Sequence, residues 1–278
     1  MKNFKKCKIC ESEIELINEK YNLGQCLNCK FIFCLNYFSQ DEFIKLYDNL
    51  YNLEDSHYQK HSKDEFGKLI TNKAIKVGLY RARMIKNNIF KPGFKSVLEI
   101  GSGVGLVGAY IRAKSPNISY TGIELDKEAY GKSKLLKLNT IHGDYTKMAN
   151  LNKKFDVIML WEVLEHLQDL NTFLELAYKI LNINGRIILS TPNYNKIYNY
   201  PKRTQDQIFQ DAPPVHLNFF TPENIKNIFE INNFKYCNIN VKKMPYLQLS
   251  DFNFYLNTVR ALIGKYKGTT IYFSASKK

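Results

Sequence analysis

The run Ser96-Val-Leu-Glu-Ile100, followed by glycines at 101, 103 and 105, constrains the fold of this chain more than any other stretch. A short run dominated by bulky apolar residues reads as a buried strand. Glycines placed directly after it permit a turn with positive φ and let the backbone come close to a ligand. Further strands are expected at Tyr120–Leu125, Thr140–His142, Phe155–Leu160, Arg186–Ser190, Lys235–Val241 and Thr269–Ser274. Helices fall between them. Asp126 caps one, and Asp169 opens another with Leu170, Phe173, Leu174, Ala177, Ile180 and Leu181 on one face. Thr221-Pro222-Glu223 starts a third, with a capping hydroxyl, Pro at the first position and an acid in the first turn. Asp251–Lys265 reads as an extra amphipathic helix. Strands alternating with helices predict a parallel sheet covered on both faces, with ligands beyond the C-terminal ends of the strands.

Upstream, Phe66, Ile70, Ala74, Val77, Met84 and Ile85 recur at helical spacing. They predict one helix from about Lys63 to Phe90, stopped by Pro92-Gly93. Gln40–Ser62 is a polar connector containing Tyr47, Tyr51 and Tyr58, of which Tyr47 and Tyr51 could close over a site or simply pack on the surface.

At the N-terminus, Cys7-Lys-Ile-Cys10 and Cys26-Leu-Asn-Cys29 form two C-x2-C pairs with fifteen residues between them. Four thiolates at this spacing suit tetrahedral zinc, closed and therefore structural. Cys34 and Cys237 fall outside the pattern and read as small core residues. The organisation expected is a zinc ribbon over 1–38, a connector and helix over 39–94, and a ligand-binding domain over 95–278, with Phe31–Phe38 packing the ribbon against the downstream chain.

No apolar run approaches the roughly 18 residues that a membrane span requires. The N-terminus is basic but has no apolar signal segment, so a cytoplasmic protein with reduced thiols is expected. The chain carries a formal charge of +14. Its lysines are scattered rather than clustered, which reads as biased composition more than as a nucleic-acid footprint.

Gly103-Val-Gly105-Leu-Val-Gly108 also fits the dinucleotide fingerprint, so NAD and S-adenosylmethionine both come into question. Glu99, two residues before the first glycine, offers a carboxylate to the amino group of a methionine moiety, a charge that a pyrophosphate would repel. Asp144, after Gly143, can hold an adenine amino group, and no second mononucleotide half can be assembled downstream. Glu124 can accept from the ribose hydroxyls of either ligand.

The segments Val97–Gly103, Gly122–Asp126, Gly143-Asp144, Phe155–Ile158, Glu162–Leu167 and Gly185–Ser190 with Thr191-Pro192-Asn193 together resemble class I methyltransferases of the methyltransferase 11/23 kind. The resemblance covers residues 95 to about 240. It implies an α/β, Rossmann-like, seven-stranded, mostly parallel sheet with an antiparallel last strand. It also implies that Gly101, Ser102 and Gly103 lie against S-adenosylmethionine. Glu124 and Leu125 would flank the ribose, Asp144 and Tyr145 the adenine, and Trp161 would cover the cofactor.

Methyl transfer to oxygen needs an oriented acceptor that loses its proton. His166, beside Glu165, and His216, within Pro213-Pro-Val-His-Leu217, are the candidate bases, each with a plain hydrogen-bonding role as the alternative. Glu162, Glu165 and His166 match an arrangement that quinone-precursor methyltransferases use for a divalent metal. The ribbon and connector resemble methyltransferases of surface-polysaccharide and deoxysugar pathways. Some of those add a methyl to sugar carbon, but they carry a further C-terminal domain, so O-methylation of a sugar, nucleotide-sugar or capsule phosphate group is expected. The alternatives are an RNA acceptor, as in zinc-finger ribosomal RNA or tRNA methyltransferases, and a binding module that senses S-adenosylmethionine without chemistry.

Overall fold

A computed structural model of the chain describes residues 2–39, 42, 45, 57–71, 75–196, 212–243 and 252–278. Tyr47, Tyr51, Ala74, Asp211, Asp251 and the side chain of Tyr58 lie outside the described residues.

Seven strands form the main sheet: β6 (Ser96–Ile100), β7 (Ser119–Glu124), β8 (Thr140–His142), β9 (Phe155–Trp161), β10 (Leu181–Pro192), β12 (Phe234–Val241) and β13 (Thr270–Lys277). Their order is β12-β13-β10-β9-β6-β7-β8, mostly parallel with an antiparallel end. The Rossmann-like α/β architecture expected from the sequence is the one found. Central strands are buried on both faces because their runs are continuously apolar; from Phe155 onward, Val157, Ile158, Met159 and Leu160 are all inaccessible. The registers Val97↔Tyr120 and Val97↔Val157 bring the ends of β6, β7 and β9 level.

The chain divides into two compact units. One comprises residues 38–161, 172–188 and 276–278. It holds helices α1 (His57–Thr71), α2 (Leu79–Asn88), α3 (Leu106–Lys114) and α4 (Lys127–Leu135). The single helix expected over 63–90 is two. Gly78 takes an extended ψ of 149° at the start of α2, and Val77-Gly78 is a poor helix-forming pair. Ile70, expected in the buried stripe, is 62% exposed. Asp126 caps α4 by accepting from the Ala129 N–H at 2.6 Å, as expected. Helix α5 (Leu170–Ile180) opens directly after Asp169, also as expected.

The other unit comprises residues 1–37, 162–171 and 189–275. Here β1 (Lys2–Asn3) pairs antiparallel with β5 (Asn36–Tyr37). Between them β2 (Ile14–Asn18), β3 (Leu23–Cys26) and β4 (Ile32–Cys34) form an antiparallel ribbon. It gains a fourth strand, β11 (Asn218–Phe219), which pairs with β4. Phe31 stacks on Phe33 and on Phe220, at 5.2 and 5.8 Å between ring centroids, so the apolar stretch after the cysteines does pack against later chain. Helix α6 (Pro222–Ile231) begins with a full capping box made by Thr221 and Asn224. Helix α7 (Phe252–Leu262) is the extra helix expected before the last strand. Cys34 is buried as expected, whereas Cys237 lies in β12 but points to solvent. Among the described residues no helix is long and apolar enough to cross a membrane.

Candidate active site

The expected cofactor residues Glu99 to Trp161 all fall in the unit built on β6, β7 and β9. After Ile100 the backbone takes positive φ three times, 69° at Gly101, 55° at Gly103 and 93° at Gly105. Gly101 and Ser102 donate their N–H groups to Ile123 O at 2.9 and 3.1 Å, tying the turn to β7. The two inner glycines differ. A Cβ on Gly105 would lie 2.3 Å from Leu138 Cδ1, so this glycine serves packing. A Cβ on Gly103 would meet nothing within 4 Å. Helix α3 starts at Gly105 with no side chain capping it, leaving N–H donors at its first turn.

Glu124 ends β7 and is buried. Its Oε2 accepts from the Gly103 N–H at 2.6 Å and its Oε1 from the Asp126 N–H at 2.8 Å. Burial pushes this carboxyl up to about 7, against the pull of those donors. Glu99 is also buried, and Oε2 accepts from the Tyr120 hydroxyl at 2.6 Å. Burial raises it to about 8, while the Tyr120 bond and the Arg81 charge act in the opposite direction. Leu125 is partly exposed, and its carbonyl lies 3.0 Å from His142 Nε2. Asp144 is exposed and caps the 3-10 turn Tyr145–Asn150 by accepting from the Thr146 N–H at 2.9 Å. Tyr145 meets Phe173 edge to face. Trp161, at the end of β9, has its Nε1 buried without an acceptor among the described residues, and the Arg81 guanidinium sits 5.2 Å from its ring.

These features fit S-adenosylmethionine. Gly103 leaves room for close approach, Glu124 brings a carboxylate to the end of the second strand of the motif, Asp144 brings one to the end of the next, and the indole N–H is a buried donor still needing an acceptor. Arg81 carries no signal in the sequence. It lies before the glycine turn, inside a stretch that reads as one continuous helix, and nothing in its neighbours distinguishes it from other surface cations.

The candidate bases lie in the other unit. A three-residue 3-10 turn, Leu164–His166, carries Glu165 and His166. Glu165 is buried, and Thr191 Oγ1 donates to its Oε2 at 3.0 Å. His166 Nδ1 is 2.7 Å from Val215 O, and its Nε2 is 4.0 Å from Glu165 Oε1. The His166 and His216 rings meet edge to face with centroids 4.7 Å apart. Glu165, His166 and His216 each present a ligand atom within 4.8 Å of the others, so they could also hold a divalent cation. This trio differs from the expected Glu162, Glu165 and His166. Glu162 adopts φ of 56°, and the Ser190 hydroxyl donates to its Oε1 at 2.6 Å. Thr191, part of the Thr191-Pro192-Asn193 motif but given no role there, joins this cluster, and so does Asn218, which no motif announced.

In the ribbon, Cys7 Sγ lies 3.6 Å from Cys29 Sγ and Cys10 Sγ 3.5 Å from Cys26 Sγ, with all four sulfurs within 4.8 Å of one another. Tetrahedral zinc with bonds of about 2.3 Å puts its sulfurs about 3.8 Å apart, so the set fits. The Ile9 N–H points at Cys7 Sγ and the Cys29 N–H at Cys26 Sγ, both at 3.4 Å, donors that stabilise thiolate charge.

The fold is that of the S-adenosylmethionine-dependent methyltransferases of class I. The methyltransferase domain family (Methyltransf_23) matches residues 76–238, more than half of the chain, and the chain belongs to that family. It is similar to the ubiquinone biosynthesis O-methyltransferase of Pelagibacter ubique (strain HTCC1062), 32% identical over 129 residues, covering 41% of this chain and 52% of that protein. It is likewise similar to the enzyme of that name from Rickettsia prowazekii (strain Madrid E), 28% identical over 147 residues, 51% of this chain and 57% of that protein. The chain thus spans about half the length of the curated relatives it matches. Among solved structures it resembles a SAM-dependent methyltransferase from Archaeoglobus fulgidus (TM-score 0.54, 19% identity, 71% of this chain, 92% of that one). It also resembles the plantazolicin methyltransferase BamL (TM-score 0.55, 15% identity, 84% of this chain, 95% of that one). At these identities the structural likeness speaks for the fold.

Proposed function

We propose that this chain is an S-adenosylmethionine-dependent O-methyltransferase acting on a small polar acceptor, such as a hydroxyl of a sugar or nucleotide sugar, or a capsule phosphate group. The observation that carries the chemistry is the 2.7 Å approach of His166 Nδ1 to Val215 O. A carbonyl oxygen only accepts, so Nδ1 carries a proton, and in the neutral ring the lone pair then falls on Nε2. Such an imidazole can take the proton of an acceptor hydroxyl. Glu165, held by Thr191, lies 4.0 Å from Nε2 and favours the imidazolium that would form. The donor, when bound, supplies an electrophilic methyl on sulfur. Gly101, Ser102, Gly103, Glu124, Leu125, Asp144, Tyr145 and Trp161 are the residues proposed to hold it, with Glu99 behind the turn.

Transfer to oxygen is supported by the name the relatives carry. The sugar or phosphate acceptor is supported by the pairing of a four-cysteine ribbon with this core. We also propose zinc, in a structural role, at Cys7, Cys10, Cys26 and Cys29. An RNA acceptor is the second reading, favoured by the net charge of +14.

Calorimetric titration with S-adenosylhomocysteine, using NADH as the control, tests the class. Binding of the homocysteine compound alone is expected; binding of NADH alone would overturn it. Transfer of labelled methyl to nucleotide sugars, set against binding to RNA across a salt series, then separates the acceptors, because only RNA binding falls steeply with salt.

A further inference from the structure

We propose that the four-cysteine ribbon sets the geometry of the candidate catalytic turn, and that Asn218 is the positioning residue through which it acts. The proposal rests on the roles assigned to Glu165 and His166 under the proposed function, and every contact in it lies within one compact unit.

The segment 215–219 has two sides. Toward the ribbon it is a strand: Asn218 pairs with Phe33 and Phe219 with Ile32, and the Cys34 N–H donates to Leu217 O at 2.9 Å. Toward the turn it is a cradle. The Leu217 N–H donates to Glu165 O at 2.8 Å, and Val215 O receives His166 Nδ1. Asn218 Nδ2 donates to Leu164 O at 2.9 Å and to Leu167 O at 2.6 Å, closing both ends of the turn. A 3-10 turn of three residues is too short to hold itself, and its terminal carbonyls need outside donors. Asn218 is 1% exposed, so water does not replace it cheaply.

A second tie runs from the first cysteine pair. Lys8, between Cys7 and Cys10, donates from Nζ to Gln168 O at 3.0 Å, and Asn171 Nδ2 donates to Lys8 O at 2.9 Å. The segment that carries Glu165 and His166 is therefore fastened to the ribbon on both sides. The residues proposed to hold the donor take no part in these bonds. Loosening the ribbon is then expected to disturb the base and to spare donor affinity.

The test uses the full chain in three forms: zinc-loaded, after chelation, and zinc-loaded with Asn218→Asp or Asn218→Ala. Asn218→Asp keeps the side-chain shape and removes both donors. Hydrogen exchange followed by mass spectrometry reads segment 162–171, and nitrogen NMR reads the protonated ring nitrogen of His166. Losing the two bonds is expected to speed exchange over 162–171 by about tenfold or more. The Nδ1-protonated signature of His166 should be lost in both variants and after chelation. Affinity for S-adenosylhomocysteine should stay within about twofold. Unchanged exchange and an unchanged ring signature in Asn218→Asp overturn the proposal, as does chelation whose effect stops at residues 2–37. If a variant unfolds, seen as lost protection over 96–124, the chelated unaltered chain decides. Failure of the unaltered chain to bind S-adenosylhomocysteine would count against the methyltransferase reading instead, while the exchange comparison still tests the clamp.

Discussion

The Tyr120 hydroxyl donates to Oε2 of Glu99 over 2.6 Å, with both side chains buried beneath the glycine turn. The bond needs space that two glycines supply: a Cβ on Gly108 would stand 2.5 Å from the Tyr120 ring, and one on Gly122 would stand 2.9 Å from its hydroxyl oxygen. Glu99 is raised to about 8, so the folded chain holds this proton more tightly than the unfolded chain does. Stability from this group is fully present below the ordinary carboxylate range near 4.5 and is lost as pH rises through about 8. The melting temperature is therefore expected to fall across that window, and Glu99→Gln should flatten the fall. A profile equally steep in the variant would show that another group causes it.

Glu124 carries the corresponding prediction for binding. It is raised to about 7, and only the carboxylate form has full acceptor capacity for two ribose hydroxyls. Affinity for S-adenosylhomocysteine is expected to strengthen as pH climbs from about 5.5 to 8. Glu124→Gln should bind more weakly throughout and lose that dependence. Calorimetry at three pH values checks both statements.

The glycines at 103 and 105 should part company on substitution. Gly105→Ala combines positive φ with a 2.3 Å approach to Leu138 and should cost about 2 kcal/mol or more in stability. Gly103→Ala has only its φ of 55° to contend with and should cost about 1 kcal/mol. Its larger effect should be on donor affinity. Chemical denaturation and titration on the same two variants separate the outcomes.

His166→Ala is expected to lower turnover by about 100- to 10,000-fold, the range for removal of a general base, with donor affinity unchanged. Thr191→Val should act in the same direction by less, since it removes one hydrogen bond to Glu165 and leaves the imidazole in place. Once an acceptor is in hand, a full pH–rate profile of Thr191→Val distinguishes this from simple loss of packing: the limb assigned to the base should move.

The sheet and the glycine turn are legible in the sequence because their signals are local. Ser96–Ile100 and Thr140–His142 fall where the apolar pattern puts them, and Asp126 and Thr221 cap the helices they are expected to cap. The cysteine pairs are legible for the same reason, a fixed spacing with one physical use. What escapes is non-local. The two-residue strand Asn218–Phe219 is too short to leave a periodic pattern, and its partner Ile32–Phe33 lies in the ribbon at the far end of the sequence. The break before α2 is masked because Phe66, Ile70 and Val77 hold helical spacing across it. The candidate trio of Glu165, His166 and His216 is hidden for a similar reason. Sequence neighbours favour Glu162, whereas the fold brings His216 to Glu165 and His166 and gives Glu162 to Ser190.

The pairing of β11 with β4 also bears on how this protein could be shortened. Trimming the chain to begin after the ribbon would strip Asn218 and Phe219 of their strand partners Phe33 and Ile32 and uncover Phe220, which is fully buried and stacks on Phe31. The result would be a bare strand edge beside an exposed aromatic face, a template for self-association. Such a fragment should accumulate as aggregate even though the whole glycine turn is retained. The ribbon, in that sense, is also what keeps the remainder of the chain from sticking to itself.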